Sequence, residues 1–189
     1  MVALRQAAAV PGRQPHQRLQ HLPADGARGE VKRSRRAFLL AAAACTAGTA
    51  YAAPAAPGEL VRWPEVTLLD GTRWAPAAGR AQVVVFWSIS CPFCKRHNAH
   101  VDKLYRAGGD GGPQVLTVCR ERDRAAVQRY LAANGYAFPV SLDHDALAAA
   151  LAARRVIPLT LLVDRQGRLK QAIPGEMFEE DVMELLTFA

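Results

Sequence analysis

Aromatic residues are scarce in this sequence, at 7% of 189 positions. It also lacks any apolar run of roughly 20 residues, the length a membrane-crossing helix needs. The longest such stretch, Ala37 to Ala50, falls short of that length. With mean hydropathy near zero, the chain is not a multi-span membrane protein. Internal repeats and fibrous or low-complexity patterns are missing as well. A basic body is missing too, although the formal charge is +7. Residues 1–52 hold eight Lys/Arg against Asp25 and Glu30, which leaves 16 basic and 15 acidic residues from position 53 onward. A body so nearly balanced has no basic stripe suited to phosphates, and nucleic acid is not expected as a partner. What is present is 50% apolar and 22% charged residues, enough for one globular domain with its own core.

The basic segment reads as a leader. The run Lys32-Arg33-Ser34-Arg35-Arg36 precedes the Ala37–Ala50 stretch, and Ala50-Tyr51-Ala52 offers an A-x-A cleavage site. Ser34-Arg35-Arg36-Ala37-Phe38-Leu39-Leu40 resembles the twin-arginine translocation motif, with Leu40 where lysine is common. Residues 32–52 are therefore expected to direct export to the periplasm, and would anchor the chain only weakly if left uncleaved. Cys45 lacks the large residue three positions earlier that a lipidated cysteine usually has. Residues 1–31 show no apolar periodicity and read as a disordered extension or a mis-started upstream segment, with translation beginning near Val31. Residues 53–58 (Ala-Pro-Ala-Ala-Pro-Gly) read as a linker, and residues 59–189 as the folded domain.

Within that domain, Val66 to Leu69 and Thr72 to Trp74 flank an Asp-Gly turn and predict a short hairpin. Gln82 to Trp87 and Gln114 to Cys119 are apolar, β-branched runs expected of strands covered on both faces. Helices are predicted over Pro92 to Arg106, Asp123 to Asn134, Asp145 to Ala153 and Glu176 to Phe188. Phe138 to Leu142 reads as a short strand, and Leu159 to Val163 with Arg168 to Ala172 as a hairpin. Strands alternating with helices and closed by a hairpin imply an α/β fold, a mixed sheet with helices on both faces.

Four cysteines occur: Cys45, Cys91, Cys94 and Cys119. Cys91-Pro92-Phe93-Cys94 is a C-x-x-C at a strand-to-helix junction. The first sulfur falls at a helix N-terminus, where unpaired N–H groups and the macrodipole favour an anion. Its thiol pKa can fall there from about 8.5 into the range of roughly 3.5–7.5. Pro92 suits the first helical turn because it has no N–H to leave unpaired. Cys94, three residues on, shares the helix face and can resolve a mixed disulfide formed at Cys91. Other chemistries fit less well. A c-type haem site needs histidine after the second cysteine, where Lys95 stands. Cys91, Cys94, His97 and His100 continue a three-residue spacing, but along one helix they cannot close a tetrahedron around zinc. A purely structural disulfide would close too small a loop to constrain the unfolded chain much.

Phe86 to Lys95 (Phe-Trp-Ser-Ile-Ser-Cys-Pro-Phe-Cys-Lys) resembles the active-site stretch of the thioredoxin superfamily, and Arg155 to Asp164 resembles its cis-proline segment. The N-terminal hairpin and the extra strand–helix segment Phe138–Ala153 before that proline point to the TlpA/ResA-like branch. The resemblance implies a thioredoxin-like fold and a cis Ile157–Pro158 bond facing the cysteines. It implies a redox-active pair with Cys91, Cys94 and Pro158 at the centre and Trp87, Pro92, Phe93, Lys95, His97 and Ile157 in support. It further implies protein thiol or disulfide substrates, a membrane electron donor and no bound cofactor. Net reduction of protein disulfides is the expected direction. An oxidase or isomerase, or a copper- or zinc-binding carrier using Cys91, Cys94 and His97, remain as alternatives.

Three departures from the family pattern matter. Ser90 replaces the usual tryptophan before the first cysteine, and Val85 stands where thioredoxins bury an acid. His97 takes a place where this branch can carry glutamate; it either supplies a proton acceptor or is simply a solvated helix residue. Cys119 reads as a buried structural thiol, and Arg120 to Arg124, with Glu121 and Asp123 among them, as surface.

Overall fold

The computed structural model describes residues 55–188. The extension, the leader and the first two positions of the proposed linker lie outside them. The chain forms, in order, β1 (Val66–Thr67), β2 (Arg73–Trp74), β3 (Gln82–Trp87), α1 (Pro92–Gly108), β4 (Gln114–Cys119), α2 (Arg124–Asn134) and β5 (Val140–Ser141). After these come α3 (His144–Ala150), β6 (Leu159–Val163), β7 (Leu169–Pro174), α4 (Glu179–Glu184) and a 3₁₀ turn, Leu185–Thr187.

Five strands make one sheet in the order β5-β4-β3-β6-β7. The first three run parallel, β6 runs antiparallel to β3, and β7 antiparallel to β6. Every residue of β3 is buried, as expected when side chains alternate between two covered faces. On one face Val83, Val85 and Trp87 pack with Cys94, Val101 and Leu104 of α1, Val127 of α2 and Val182 of α4. On the other, Val84 and Phe86 pack with Leu116, Val118, Leu147 of α3, and Val66 and Trp74 of the small hairpin. The mixed sheet with helices on both faces is the architecture read from the sequence.

Local chemistry sets several boundaries differently. The hairpin ladder covers only Val66↔Trp74 and Thr67↔Arg73. Beyond it Leu69 donates its N–H to Val140 at 2.6 Å, and Thr67 donates to the Asp143 carboxylate at 2.7 Å. The hairpin and the strand–helix insertion thus fasten each other. The α3 helix stops at Ala150, near Ala152 at positive φ, instead of reaching Ala153. The last helix begins at Glu179 and not at Glu176, because Glu176 and Met177 are bonded to α1 side chains. The linker reading also needs correction: Ala55 is buried and donates to Ala150 at 3.1 Å, and Gly58 donates to Leu169 at 2.6 Å. Ala55 and Gly58 are thus fastened to the domain, while residues 56–58 stay exposed.

Leu116 lies at the centre of this core and is fully buried. Leu116→Ala is expected to lower the unfolding free energy by about 2–5 kcal/mol, read from urea denaturation. A loss under about 1 kcal/mol would show that the two-faced core is misdescribed.

Candidate functional site

β3 ends at Trp87, and the segment Ser88–Ser90 delivers Cys91 to the start of α1. Cys91 is the helix N-cap, with extended backbone (φ −90°, ψ 111°) and Pro92 in the first turn. Its sulfur accepts the Cys94 N–H at 3.1 Å, in the place a capping oxygen usually takes. Cys91 and Cys94 are joined by a disulfide with Cα atoms 5.2 Å apart. Cys91 is half-buried, whereas Cys94 is fully buried against the sheet beside Val85 and Trp87. One sulfur is therefore reachable and the other is covered.

The Ile157–Pro158 peptide is cis. Because Phe86 pairs with Leu159, the start of β6 emerges at the same end of the sheet as the end of β3. The Ile157 carbonyl oxygen stands 4.0 Å from the Cys91 sulfur. Phe93 is exposed, and the Arg96 guanidinium lies 5.1 Å over its ring while bonding Glu176 at 2.6 and 2.7 Å. Lys95 is exposed and its backbone N–H continues the helix from the Cys91 carbonyl at 3.2 Å. Trp87 supports the site from below, fully buried and 5.3 Å from the Tyr130 ring, centroid to centroid. The site residues named from the sequence thus gather at one end of the sheet, with His97 set deeper.

His97 is not a solvated helix residue; it is 1% exposed. Its Nδ1 accepts the Met177 N–H at 3.3 Å, which leaves the proton on Nε2, 3.0 Å from the Thr160 hydroxyl oxygen. Burial, aided by neighbouring His100, lowers its pKa from the usual 6.5 to about 4, with Glu176 opposing in part. With both nitrogens engaged, His97 is poorly placed as a proton acceptor or as a third ligand beside Cys91 and Cys94. That removes the basis for the carrier reading. Its imidazole instead ties α1 to β6 and to the segment before α4.

Glu121 was read as surface and proves to be the main residue sequence reasoning missed. Its Oε1 accepts the Ser88 hydroxyl at 2.7 Å and the Ile89 N–H at 3.0 Å, and its Oε2 accepts the Cys119 thiol at 2.7 Å. Burial works to raise its pKa, but these hydrogen bonds outweigh it and hold the carboxyl below its usual range. Cys119 is buried, and burial first, then Glu121, pushes its thiol well above the ordinary value. The thiol is a hydrogen-bond donor here. Ser88 also meets the Ser90 hydroxyl at 3.0 Å, so the turn before Cys91 is fastened twice. Only the alternation Arg120-Glu121-Arg122 was visible in the sequence, and it signalled solvent exposure. Arg120, Arg122 and Arg124 are exposed, as the alternation implies, and Arg124 donates to the Leu69 carbonyl.

The strand order, the helices on both faces and a cis-proline opposite a C-x-x-C at a helix start define a thioredoxin-like fold. The chain belongs to the Redoxin family, whose model matches residues 62–186. Relatives mark it as a TlpA/ResA-like member of the thioredoxin superfamily. The thiol-disulfide oxidoreductase ResA of Halalkalibacterium halodurans is 28% identical over 108 residues, covering 57% of this chain and 61% of that protein. ResA of Geobacillus kaustophilus is 27% identical over 104 residues, covering 55% and 60%. The chain thus spans about three fifths of the length of the curated relatives it matches. Among solved structures, StoA from Bacillus subtilis superimposes with TM-score 0.59 at 22% identity, covering 67% of this chain and 97% of that one. A thioredoxin family thiol:disulfide interchange protein from Chlorobium tepidum gives 0.60 at 19% identity, covering 71% and 94%.

Two outcomes follow from the polar contacts. The folded pKa of His97 lies below its unfolded value, so its neutral burial contributes fully above pH 6.5 and is lost as pH falls toward 4. Urea stability is expected to drop by on the order of 3 kcal/mol across that window, and His97→Gln to flatten the drop; an unchanged slope in the variant would contradict the assignment. Glu121→Ala strands three donors and is expected to cost about 1–3 kcal/mol in the same assay, whereas a neutral outcome would mean the carboxylate anchors nothing.

Proposed function

We propose that the chain is an exported thiol–disulfide oxidoreductase that reduces protein disulfides through Cys91 and Cys94. The observation that carries this reading is the Cys91 sulfur: half-exposed, at the α1 N-terminus, accepting the Cys94 N–H and bonded to a buried second sulfur. In the reduced protein the Cys91 thiolate attacks one sulfur of a client disulfide. The other client sulfur leaves as a thiol after protonation. The Cys94 thiol then loses its proton and attacks Cys91 in the mixed disulfide, releasing the second client thiol and closing the Cys91–Cys94 disulfide. Two electrons and two protons have passed to the client, and a dithiol donor must return them. A membrane electron donor suits that task in the periplasm. The cycle uses no bound organic cofactor.

Pro158 and Ile157 are assigned to aligning the client chain beside Cys91, since the Ile157 carbonyl lies next to that sulfur. Phe93 and Lys95 border the approach. Trp87 and Pro92 hold the strand end and the first helical turn. Export rests on the leader pattern of residues 32–52.

Cys91→Ser is expected to abolish insulin-disulfide reduction, a loss of at least about a hundredfold, while Cys94→Ser accumulates mixed disulfides with clients. Retained turnover in Cys91→Ser would overturn the nucleophile assignment. Equilibration with glutathione fixes the direction: a potential near that of thioredoxin, about −270 mV, fits a reductant, and one near about −120 mV fits an oxidase.

A further inference from the structure

Exposed charge beside the two cysteines is weighted toward the basic side. From residue 53 onward the chain holds 16 basic and 15 acidic residues, unevenly spread. Acids concentrate on α4, as Glu179, Glu180, Asp181 and Glu184. Four exposed cations, Lys95, Arg120, Arg154 and Arg155, stand at the end of the sheet that carries Cys91, beside Arg122 and Asp123, a neighbouring pair of opposite charge.

Topology places them there. Trp87 pairs with Cys119, so Arg120 leaves β4 beside the end of β3 and donates its N–H to the Trp87 carbonyl at 3.0 Å. Lys95 lies in the first turn of α1. Arg154 and Arg155 immediately precede Val156 and Ile157, and the Arg120 guanidinium reaches the Arg155 carbonyl at 3.4 Å. The three segments therefore surround the sulfur that the Ile157 carbonyl approaches.

None of the four cations makes an ion pair among the described residues. Of the nearby carboxylates, Glu121 faces inward to Ser88, Ile89 and Cys119 and keeps its charge, Asp123 caps α2, Asp145 meets His144, and Glu176 is held by Arg96. Between the cations, Phe93 (56% exposed) and Val156 (42%) present apolar surface. A positive rim around an apolar approach attracts negative chain and repels positive chain within about one Debye length, about 10 Å at 0.1 M salt.

We propose that this rim selects clients in which Asp or Glu flanks the reactive cysteine. The proposal rests on the oxidoreductase reading and adds the substrate class. Its chemistry is the same exchange: the Cys91–Cys94 dithiol passes two electrons and two protons to the client disulfide and becomes the disulfide itself.

Single-turnover reduction of two fluorogenic peptide disulfides by the fully reduced protein tests it. The peptides are identical except for Glu or Lys on both sides of the cysteine. The Glu peptide is expected to react on the order of tenfold faster at low salt. The ratio should approach one near 1 M salt, where the Debye length falls to about 3 Å. Arg154→Glu/Arg155→Glu should reverse the preference, and the milder Arg154→Gln/Arg155→Gln should erase most of it, with thermal unfolding confirming that both fold. Equal rates in the wild type, or a preference that survives both double variants, would overturn the proposal. A neutral disulfide, bis(2-hydroxyethyl) disulfide, separates the two failures. If the wild type reduces it without charge preference among the peptides, only the rim is wrong; if the wild type reduces no disulfide, the oxidoreductase reading falls and the rim with it.

Discussion

One constraint organises the site: β3 must end where α1 begins, so that a sulfur takes the place of a helix-capping oxygen. A capping acceptor faces N–H groups that the helix leaves unpaired. When that acceptor is the Cys91 sulfur, the same N–H groups favour its anionic form. The buried sheet fixes the strand end, with Trp87 fully covered and β3 sealed on both faces. The helix start then follows from Pro92 and the Cys94 N–H. The position of the Cys91 sulfur is thus a consequence of where the core ends.

Around that constraint the polar side chains hold position. Glu121 ties the Ser88–Ile89 turn to the end of β4. His97 joins α1 to Thr160 and Met177 without keeping a nitrogen free. Val85, where an acid stands in thioredoxins, is fully buried in the cluster that contains Cys94. The second sulfur thus sits in apolar surroundings, whereas Cys91 is half-exposed.

Much of this was legible in the sequence because periodicity and punctuation are local. The continuous apolar runs of β3 and β4, the Cys-Pro start of α1 and the Asn134-Gly135 end of α2 each announce an element through its own residues. The cis-proline came by resemblance and the Cys91–Cys94 pair from its spacing at a strand-to-helix junction, and the structure contains both. What escaped was long-range. Glu121 lies between two arginines, a pattern of solvent exposure, and its partners Ser88 and Ile89 are more than 30 positions away. His97 looked exposed because its burial depends on the Met177 segment, 80 residues on. The same contact explains why the last helix starts late, since Glu176 and Met177 bond to α1 instead of extending α4.

The central claim is that the start of α1 makes Cys91 acidic. It is tested most directly by following iodoacetamide alkylation of reduced Cys91 across pH in a Cys94→Ala variant, so that one reporting sulfur remains at the site. The account predicts a reactivity midpoint at least about one pH unit below the 8.5 of free cysteine. A midpoint at or above that of free cysteine would contradict it.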